Sequence, residues 1–298
     1  MKIGETEIEE TFAEAFPMHY VSLVITAEDE YWLEAALSEV TGYSASVISC
    51  DAETGVSSYI AKEDTPDGRP GALVLIFGFS ADALQKSVPN RVGQCVMTCP
   101  STAVYDGNAD SGTRIGLGKQ IRFFGDGFQK SKMIGERRYW RVPVMDGEFL
   151  VQDTLNVAAG VGGGNIILQS SCKHAGLAAA RRGAEAIATC DGVIAPFPGG
   201  VARSGSKVGS VYKALPASTS EAYCPTLRGR VASKLLENTT VAYEIVIDGV
   251  NEDAVAKAMA TVARAVAGEN ILRIGAGNYG GELGKYHFHL HEILSKAQ

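Results

Sequence analysis

Apolar positions recur along the chain in four similar blocks. Each reads as a strand, a turn, an amphipathic helix, a turn and a second strand, followed by a Gly- or Pro-rich loop. The first block opens on Val21-Ser-Leu-Val-Ile-Thr26, places Leu33, Leu37 and Val40 on one helical face, and continues after Thr41-Gly42 with Ala45-Ser-Val-Ile-Ser49 as a strand. Acidic residues from Glu28 onward suit the start of that helix, where the macrodipole favours negative charge. The second opens on Ala72-Leu-Val-Leu-Ile-Phe77 and takes Ser80 as its N-cap; Leu84, Val88 and Val92 line the helix, which Pro89 is expected to end or kink. Residues 94–98 are expected as its returning strand.

The third block runs from Asn165-Ile-Ile-Leu-Gln169 through a helix presenting Leu177, Ala180, Ala184 and Ile187 to the strand Gly192-Val-Ile-Ala195. The fourth runs from Ala242-Tyr-Glu-Ile-Val-Ile247 through a helix presenting Val255, Met259, Val262 and Val266, ended by Gly268, to Ile271-Leu-Arg-Ile274. Paired strand–helix–strand copies build a ferredoxin-like unit. The expected fold class is therefore α+β, with two ferredoxin-like lobes built from four β-α-β copies, an N-terminal one over 1–150 and a C-terminal one over 151–298. The stretch 107–153 breaks the repeat; Gln120-Ile-Arg-Phe-Phe124 and Arg138-Tyr-Trp-Arg-Val-Pro143 read as extra strands inserted between the lobes. An unrepeated α/β protein is the alternative.

Composition narrows the class without fixing the chemistry. The 298 residues, 46% hydrophobic and 20% charged, are enough for two modest domains. No apolar run approaches the ~18 residues of a membrane span, and the acidic stretch Met1 to Glu10 does not read as a signal peptide. A formal net charge of -7 and the lack of a basic block speak against nucleic acid and membrane partners. Cys50, Cys95, Cys99, Cys172, Cys190 and Cys224 form no CxxC pair and read as reduced, mostly buried thiols. A cytoplasmic protein is expected.

Glu244 interrupts an otherwise apolar strand. A period of two sets Tyr243, Ile245 and Ile247 on one face and Ala242, Glu244 and Val246 on the other. A carboxyl between Ala and Val is partly desolvated, which raises its pKa, and a neutral acid can donate a hydrogen bond to a developing oxyanion. A Glu on an exposed edge or in a structural ion pair is the competing reading. Gly275-Ala-Gly-Asn-Tyr-Gly280 matches GxGxxG, but neither a long helix nor an acid some 20 residues on follows, so a dinucleotide site is rejected in favour of a close-approach loop or plain turn chemistry. His287, His289 and His291 alternate, which a strand would set on one face; with no Cys nearby, a surface strand is preferred to a metal site, and no metal is expected. Arg203-Ser-Gly-Ser-Lys-Val-Gly-Ser210 is small, polar and basic, suited either to holding anions or to a surface loop.

One ordered set of motifs covers nearly the whole chain. It comprises Asp64-Thr-Pro-Asp-Gly-Arg-Pro-Gly71, Arg91-Val-Gly-Gln-Cys-Val-Met-Thr98, Phe123-Phe-Gly-Asp-Gly127 and Ala159-Gly-Val-Gly-Gly-Gly-Asn165. It continues with Ala195-Pro-Phe-Pro-Gly-Gly200, Ser204-Gly-Ser-Lys207, Pro216-Ala-Ser-Thr219, Tyr243-Glu-Ile-Val-Ile247 and Gly277-Asn-Tyr-Gly-Gly281. With these the sequence resembles the formylmethanofuran–tetrahydromethanopterin N-formyltransferases.

The resemblance implies formyl transfer between tetrahydromethanopterin and methanofuran, with no tightly bound cofactor and both carriers as cosubstrates. It implies homo-oligomers (a dimer of dimers) and a catalytic role for Glu244. Because both substrates carry anionic groups and rings, it suggests Arg122, Arg203 and Lys207 as anion partners, and Phe123, Phe124 and Tyr279 as ring-packing residues. Asp126, Ser204 and Asn278 complete the expected substrate-binding set. Departures from the archaeal pattern, among them Arg203 before Ser204, Cys99 before Pro100, a short Gly-rich stretch over 105–118 and the mild charge, suggest a bacterial methylotroph version that works with formyl-hydrolase subunits on a methanofuran analogue. A non-catalytic subunit that positions the carrier, or a ligand-sensing module, are the alternatives.

Overall fold

A computed structural model describes residues 1–109 and 112–296. The expected Gly-rich stretch over 105–118 therefore includes Asp110 and Ser111, which lie outside the described residues. The chain is mixed α+β and divides into two compact units, Met1–Pro17 with Val161–Gln298, and Met18–Gly160. The first 17 residues join the C-terminal part in space, because Thr6–Ile8 runs parallel to Ile271–Gly275 and hydrogen-bonds to it.

In the 18–160 unit the Phe12–Thr26 strand is flanked antiparallel by Gly71–Gly78 and by Ala103–Asp106. Glu53–Ile60 pairs outside the former. A three-stranded meander, Lys130–Ile134, Arg137–Val144 and Gly147–Gln152, extends the latter side through a parallel pairing of Gly147–Gln152 with Ala103–Asp106. The helices Glu30–Val40 and Ala81–Arg91 bury Leu33, Leu37, Leu84 and Val88 against Val21, Leu23, Ile25, Val74 and Ile76. Asp29 and Ser80 cap them, accepting Trp32 N–H and Ala83 N–H at 3.1 Å each.

Three strand expectations fail in this unit. Residues 46–50 turn, and the strand forms at Glu53–Ile60 instead. The helix runs through Pro89 to Arg91 and opens into a π-turn over Val92–Val96, so the returning strand is Ala103–Asp106. Proline has no N–H, so its missing i−4 bond is tolerated in a last turn that is already loosening. Residues 120–124 are helical, in Gly118–Ile121 and Arg122–Gly125, while Arg138 to Pro143 lie in a strand as expected. Short apolar runs do not distinguish strand from helix by period alone.

In the other unit the long Ala158–Ser170 strand lies between Val241–Gly249 and Ile271–Gly275, antiparallel to both. Val193–Ile194 borders Val241–Gly249 on its far side. The helices Lys173–Ile187 and Glu252–Val266 cover one face and bury Ile166, Leu168, Ile245, Ile247 and Ile274. The Glu252–Val266 helix buries Val255, Met259, Val262 and Val266 as the periodicity requires. On the Lys173–Ile187 helix the buried side is instead Gly176, Ala179, Ala180, Gly183 and Ile187, and Leu177 is exposed. The helices approach so closely that a Cβ on Gly183 would stand 2.5 Å from Ile245 Cδ1 and 2.6 Å from Val266 Cγ1. Small residues therefore define the packing face, and a larger Leu is turned out.

Among the described residues no helix is long and apolar enough to cross a membrane. The six cysteines are free and partly rather than fully buried. Burial pushes the Cys95 and Cys99 thiols up, and Cys99 Sγ donates to Trp32 O at 3.3 Å.

Candidate active site

Cross-strand register fixes what faces what. Ile167 stands directly opposite Glu244 on one side and opposite Gly275 on the other, and Asn165 stands opposite Val246. Directly paired residues share a sheet face. Glu244 thus lies on the face turned away from the helices, with Asn165, Ile167 and Gln169.

That second face is covered by the irregular segment 201–240. Gln169 anchors it: its Oε1 accepts Leu236 N–H at 2.9 Å and Thr239 Oγ1–H at 3.0 Å, and its Nε2 donates to Lys234 O at 3.1 Å. Arg228 holds the segment's end, donating to the carbonyls of Leu236, Glu237 and Thr239 at 2.6–2.9 Å. Ala202 forms a bridge with Glu244, which sets Arg203 one residue from the strand that carries the acid.

Glu244 retains some solvent-accessible surface, yet protein atoms surround its carboxyl closely. That desolvation raises its pKa from 4.5 to about 7. The carboxyl is therefore closely surrounded by protein while part of the residue still reaches solvent. Among the described residues no side chain hydrogen-bonds or ion-pairs with this carboxyl. Two phenols feel its charge. Burial first, then the charges of Glu9 and Glu244, holds Tyr223 well above the ordinary phenol range. Burial first, then Glu244 and Glu14, raises Tyr279. Both tyrosines are therefore hydrogen-bond donors at neutral pH.

The glycine-rich loop after Ile271–Gly275 has an anion of its own. The buried Glu14 carboxylate accepts the backbone N–H groups of Tyr279, Gly281, Leu283 and Gly284 at 2.7, 2.8, 2.6 and 2.5 Å. Burial alone would raise Glu14, but these four donors outweigh it and bring the pKa down to about 2. The GxGxxG match is thus a close-approach loop wrapped around an internal carboxylate. Gly280 and Gly281 adopt φ of +79° and +80°, which turns the Gly281 amide to Glu14 and the Gly280 amide to Asn278 Oδ1.

The expected residues fall into separate groups. Glu244 and Tyr279 come together, with the exposed Arg203 next to the Ala202 bridge. Ser204 is exposed and its carbonyl accepts Thr219 Oγ1–H at 3.5 Å. Lys207 already pairs with Glu221, at 2.5 Å. Asn278 is used internally, donating to Thr11 Oγ1 and Phe12 O and accepting Gly280 N–H. Arg122, Phe123, Phe124 and Asp126 belong to the other unit. There the Arg122 guanidinium lies 4.7 Å from the Phe123 ring and 4.5 Å from Trp140, and Phe123 and Phe124 are each 67% exposed. Asp126 has φ 49°, so it shapes the turn.

The histidine alternation breaks because the strand ends at His289 and a helix begins at Leu290. His291 then bonds Ile8 O at 3.0 Å, while His287 and His289 pack on Phe12. Among the described residues no group of three or more His, Cys, Asp and Glu could hold a metal ion. A surface cavity of about 520 Å³ by Tyr31, Lys62 and Arg69 belongs to the 18–160 unit, whereas Glu244 belongs to the other. Its Arg69 is already committed to Asp67 and Ser101.

Tyr223, Glu9, Arg273, Asn165 and Glu14 were not assigned from sequence. Asn165 closes the glycine-rich motif that begins at Ala159 and ties the loop to the sheet, accepting Gly277 N–H at 2.6 Å. Local pattern offers no signal for the others, since their partners lie more than 200 residues away in the chain or in the irregular segment.

An α+β unit whose sheet covers a core on one face and on the other carries a desolvated acid, its pKa raised to about 7, near two phenols is equipped to stabilise an oxyanion. Comparison with known proteins names the family. The model for formylmethanofuran-tetrahydromethanopterin formyltransferase matches residues 1–144, and that for its proximal lobe matches 147–293. The chain belongs to this family. It is 48% identical to the formylmethanofuran–tetrahydromethanopterin formyltransferase of Methylococcus capsulatus, over 99% of this chain and 100% of that protein. It is 44% identical to a subunit of the formyltransferase/hydrolase complex of Methylorubrum extorquens, over 97% and 96%. Among solved structures it matches the formyltransferase of Methanosarcina barkeri with a TM-score of 0.93 and 40% identity, covering 98% of this chain and 100% of that one. It also matches the Methylorubrum extorquens formyltransferase/hydrolase complex bound to methylofuran, with a TM-score of 0.94 and 43% identity over 99% and 98%.

Proposed function

We propose that this protein transfers a formyl group between N5 of tetrahydromethanopterin and the amine of methanofuran or a methanofuran analogue. Family membership along both halves of the chain supports the reaction. The observation that carries the site is Glu244, an unpaired carboxyl desolvated to a pKa of about 7.

The acceptor amine attacks the formyl carbon directly, so no covalent enzyme intermediate is needed. Holding two large substrates together removes much of the entropic barrier. The carbonyl oxygen gains charge as the tetrahedral intermediate forms. Protonated Glu244 donates to that oxygen, with the Tyr223 and Tyr279 phenols as neighbouring donors. Arg203, Ser204 and Lys207 on the covering segment, Asn278 on the glycine loop, and Arg122, Phe123, Phe124 and Asp126 on their turn are the substrate-binding residues of this reading.

The finer organisation follows the same reading. The lobes are ferredoxin-like, 1–150 and 151–298 as repeat copies, and the protein works in the cytoplasm without a tightly bound cofactor. It assembles as a dimer of dimers and with formyl-hydrolase subunits; the naming of the Methylorubrum extorquens relative as part of a formyltransferase/hydrolase complex supports the latter. A purely carrier-positioning role is disfavoured, because the relatives carry formyltransferase names.

A spectrophotometric assay of the purified chain with formyl-tetrahydromethanopterin and methanofuran tests the proposal. Formyl transfer by the isolated protein is expected. Its absence with both substrates bound would overturn the catalytic reading.

A further inference from the structure

The Glu244 face carries a second carboxylate. Gly275 is directly opposite Ile167, which is directly opposite Glu244, so the missing side chain of Gly275 belongs to the same face as Glu244. The place a Cβ would take on Gly275 is filled by Glu9 Oε2. A side chain at Gly275 would have to displace the end of Glu9. Glu9 is fixed next to Gly275 through its N–H, which donates to Ile274 O at 2.9 Å.

Nothing else claims this carboxylate. The nearby Arg273 guanidinium is taken by Glu7, at 2.9 and 3.1 Å, and among the described residues Glu9 has neither an ion pair nor a side-chain hydrogen bond. Glu9 is partly buried. The Tyr223 phenol feels the charges of both Glu9 and Glu244, so it lies near both carboxyls.

Resting on the formyl-transfer reading of the Glu244 face, we infer that Glu9 is its second catalytic carboxylate, the base that takes the proton lost by the attacking amine. The spacing suits the task. Glu244 and Gly275 are two strand spacings apart, roughly 10 Å between backbones. Two hydrogen bonds of about 2.8 Å and the span of one tetrahedral carbon come to roughly 8 Å. A reacting centre therefore fits between the carboxyls, oxygen toward Glu244 and nitrogen toward Glu9.

The amine nitrogen bonds to the formyl carbon, and the carbonyl π pair moves to the oxygen, which Glu244 holds. The nitrogen's proton passes to Glu9. The bond from the formyl carbon to N5 then breaks with its electron pair on N5. That nitrogen takes the proton back from Glu9, which is again a carboxylate beside a neutral formamide.

Kinetics of Glu9→Gln and Glu9→Ala with formyl-tetrahydromethanopterin and methanofuran test this, with Glu244→Ala measured in parallel. Glu9→Gln is expected to lose about 10²-fold in kcat with KM for the pterin little changed. Acetate added to Glu9→Ala is expected to restore turnover in proportion to its concentration. If Glu9→Gln fails to fold, Glu9→Asp, which keeps the charge and retracts it by one methylene, should fold and show an intermediate kcat. A folded Glu9→Gln within about threefold of the parent, or a Glu9→Ala defect that acetate leaves untouched, overturns the inference. When Glu244→Ala is inactive in that same experiment, the formyl-transfer reading survives and only the base is wrong. When Glu244→Ala is also fully active, the reading of the Glu244 face falls with it.

Discussion

Glu244 and Ala202 exchange both backbone hydrogen bonds, Ala202 N–H to Glu244 O at 2.8 Å and Glu244 N–H to Ala202 O at 3.1 Å. The acid is thereby clamped between the Ala158–Ser170 strand and the start of the covering segment. Its backbone cannot move away from the protein atoms that desolvate its carboxyl. The placement of Arg203 follows from the same local pairing.

The rate of formyl transfer should fall as pH rises through about 7, the value to which burial raises Glu244, because the charged form cannot donate to an oxyanion. Glu244→Ala should lose about 10²–10³-fold in kcat, and Glu244→Gln less, since an amide still donates. Glu244→Gln should also flatten the decline near neutrality. A pH–kcat series on the three proteins checks this.

The same acid should cost stability. Its pKa in the folded chain lies above the ordinary 4.5, so its contribution is fully present below pH 4.5 and is lost as pH rises through 7. Glu244→Gln removes that loss. At pH 8.5 the variant should be more stable than the parent by up to about 3 kcal/mol, and at pH 5 the two should converge. Chemical denaturation at both pH values measures the difference.

Glu14 has the opposite sign. Four N–H donors outweigh its burial and depress its pKa to about 2, so its contribution is present above pH 4.5 and fades as pH falls toward 2. Glu14→Gln should lose about 1–3 kcal/mol at pH 7, because an amide oxygen cannot satisfy four buried donors. Amide hydrogen exchange should quicken across residues 277–284 before it does elsewhere.

Gly183→Ala should destabilise the 161–298 part by about 1–3 kcal/mol, since the new methyl collides with Ile245 and Val266 in a closed helix pair. Differential scanning calorimetry reads this as a lowered Tm. Ile245 adjoins Glu244, so kcat at a temperature well below the transition should fall as well.

Lys207→Ala should raise the KM of the anionic substrate and leave thermal stability nearly unchanged. Among the described residues the exposed lysine pairs with a half-buried Glu221 alone, and such surface pairs add little to folding. Substrate titrations beside a melting curve separate the two effects.

Sequence alone determined most of the elements, because burial imposes its period on the chain. The Val241–Gly249 strand, the Glu252–Val266 helix and the cap at Ser80 follow from local pattern or local hydrogen bonding. It also isolated Glu244, a carboxyl in an otherwise apolar strand, and its ordered motifs identified the family. Only the tertiary structure decided what surrounds that carboxyl. The desolvation of Glu244, the Glu14 loop, the contact of Glu9 with Gly275 and the small-residue face of Lys173–Ile187 all depend on residues that are distant in sequence and adjacent in space. Short apolar stretches at 45–49, 94–98 and 120–124 went to turn, π-turn and helix for the same reason: packing, rather than local preference, chooses among conformations of nearly equal intrinsic energy.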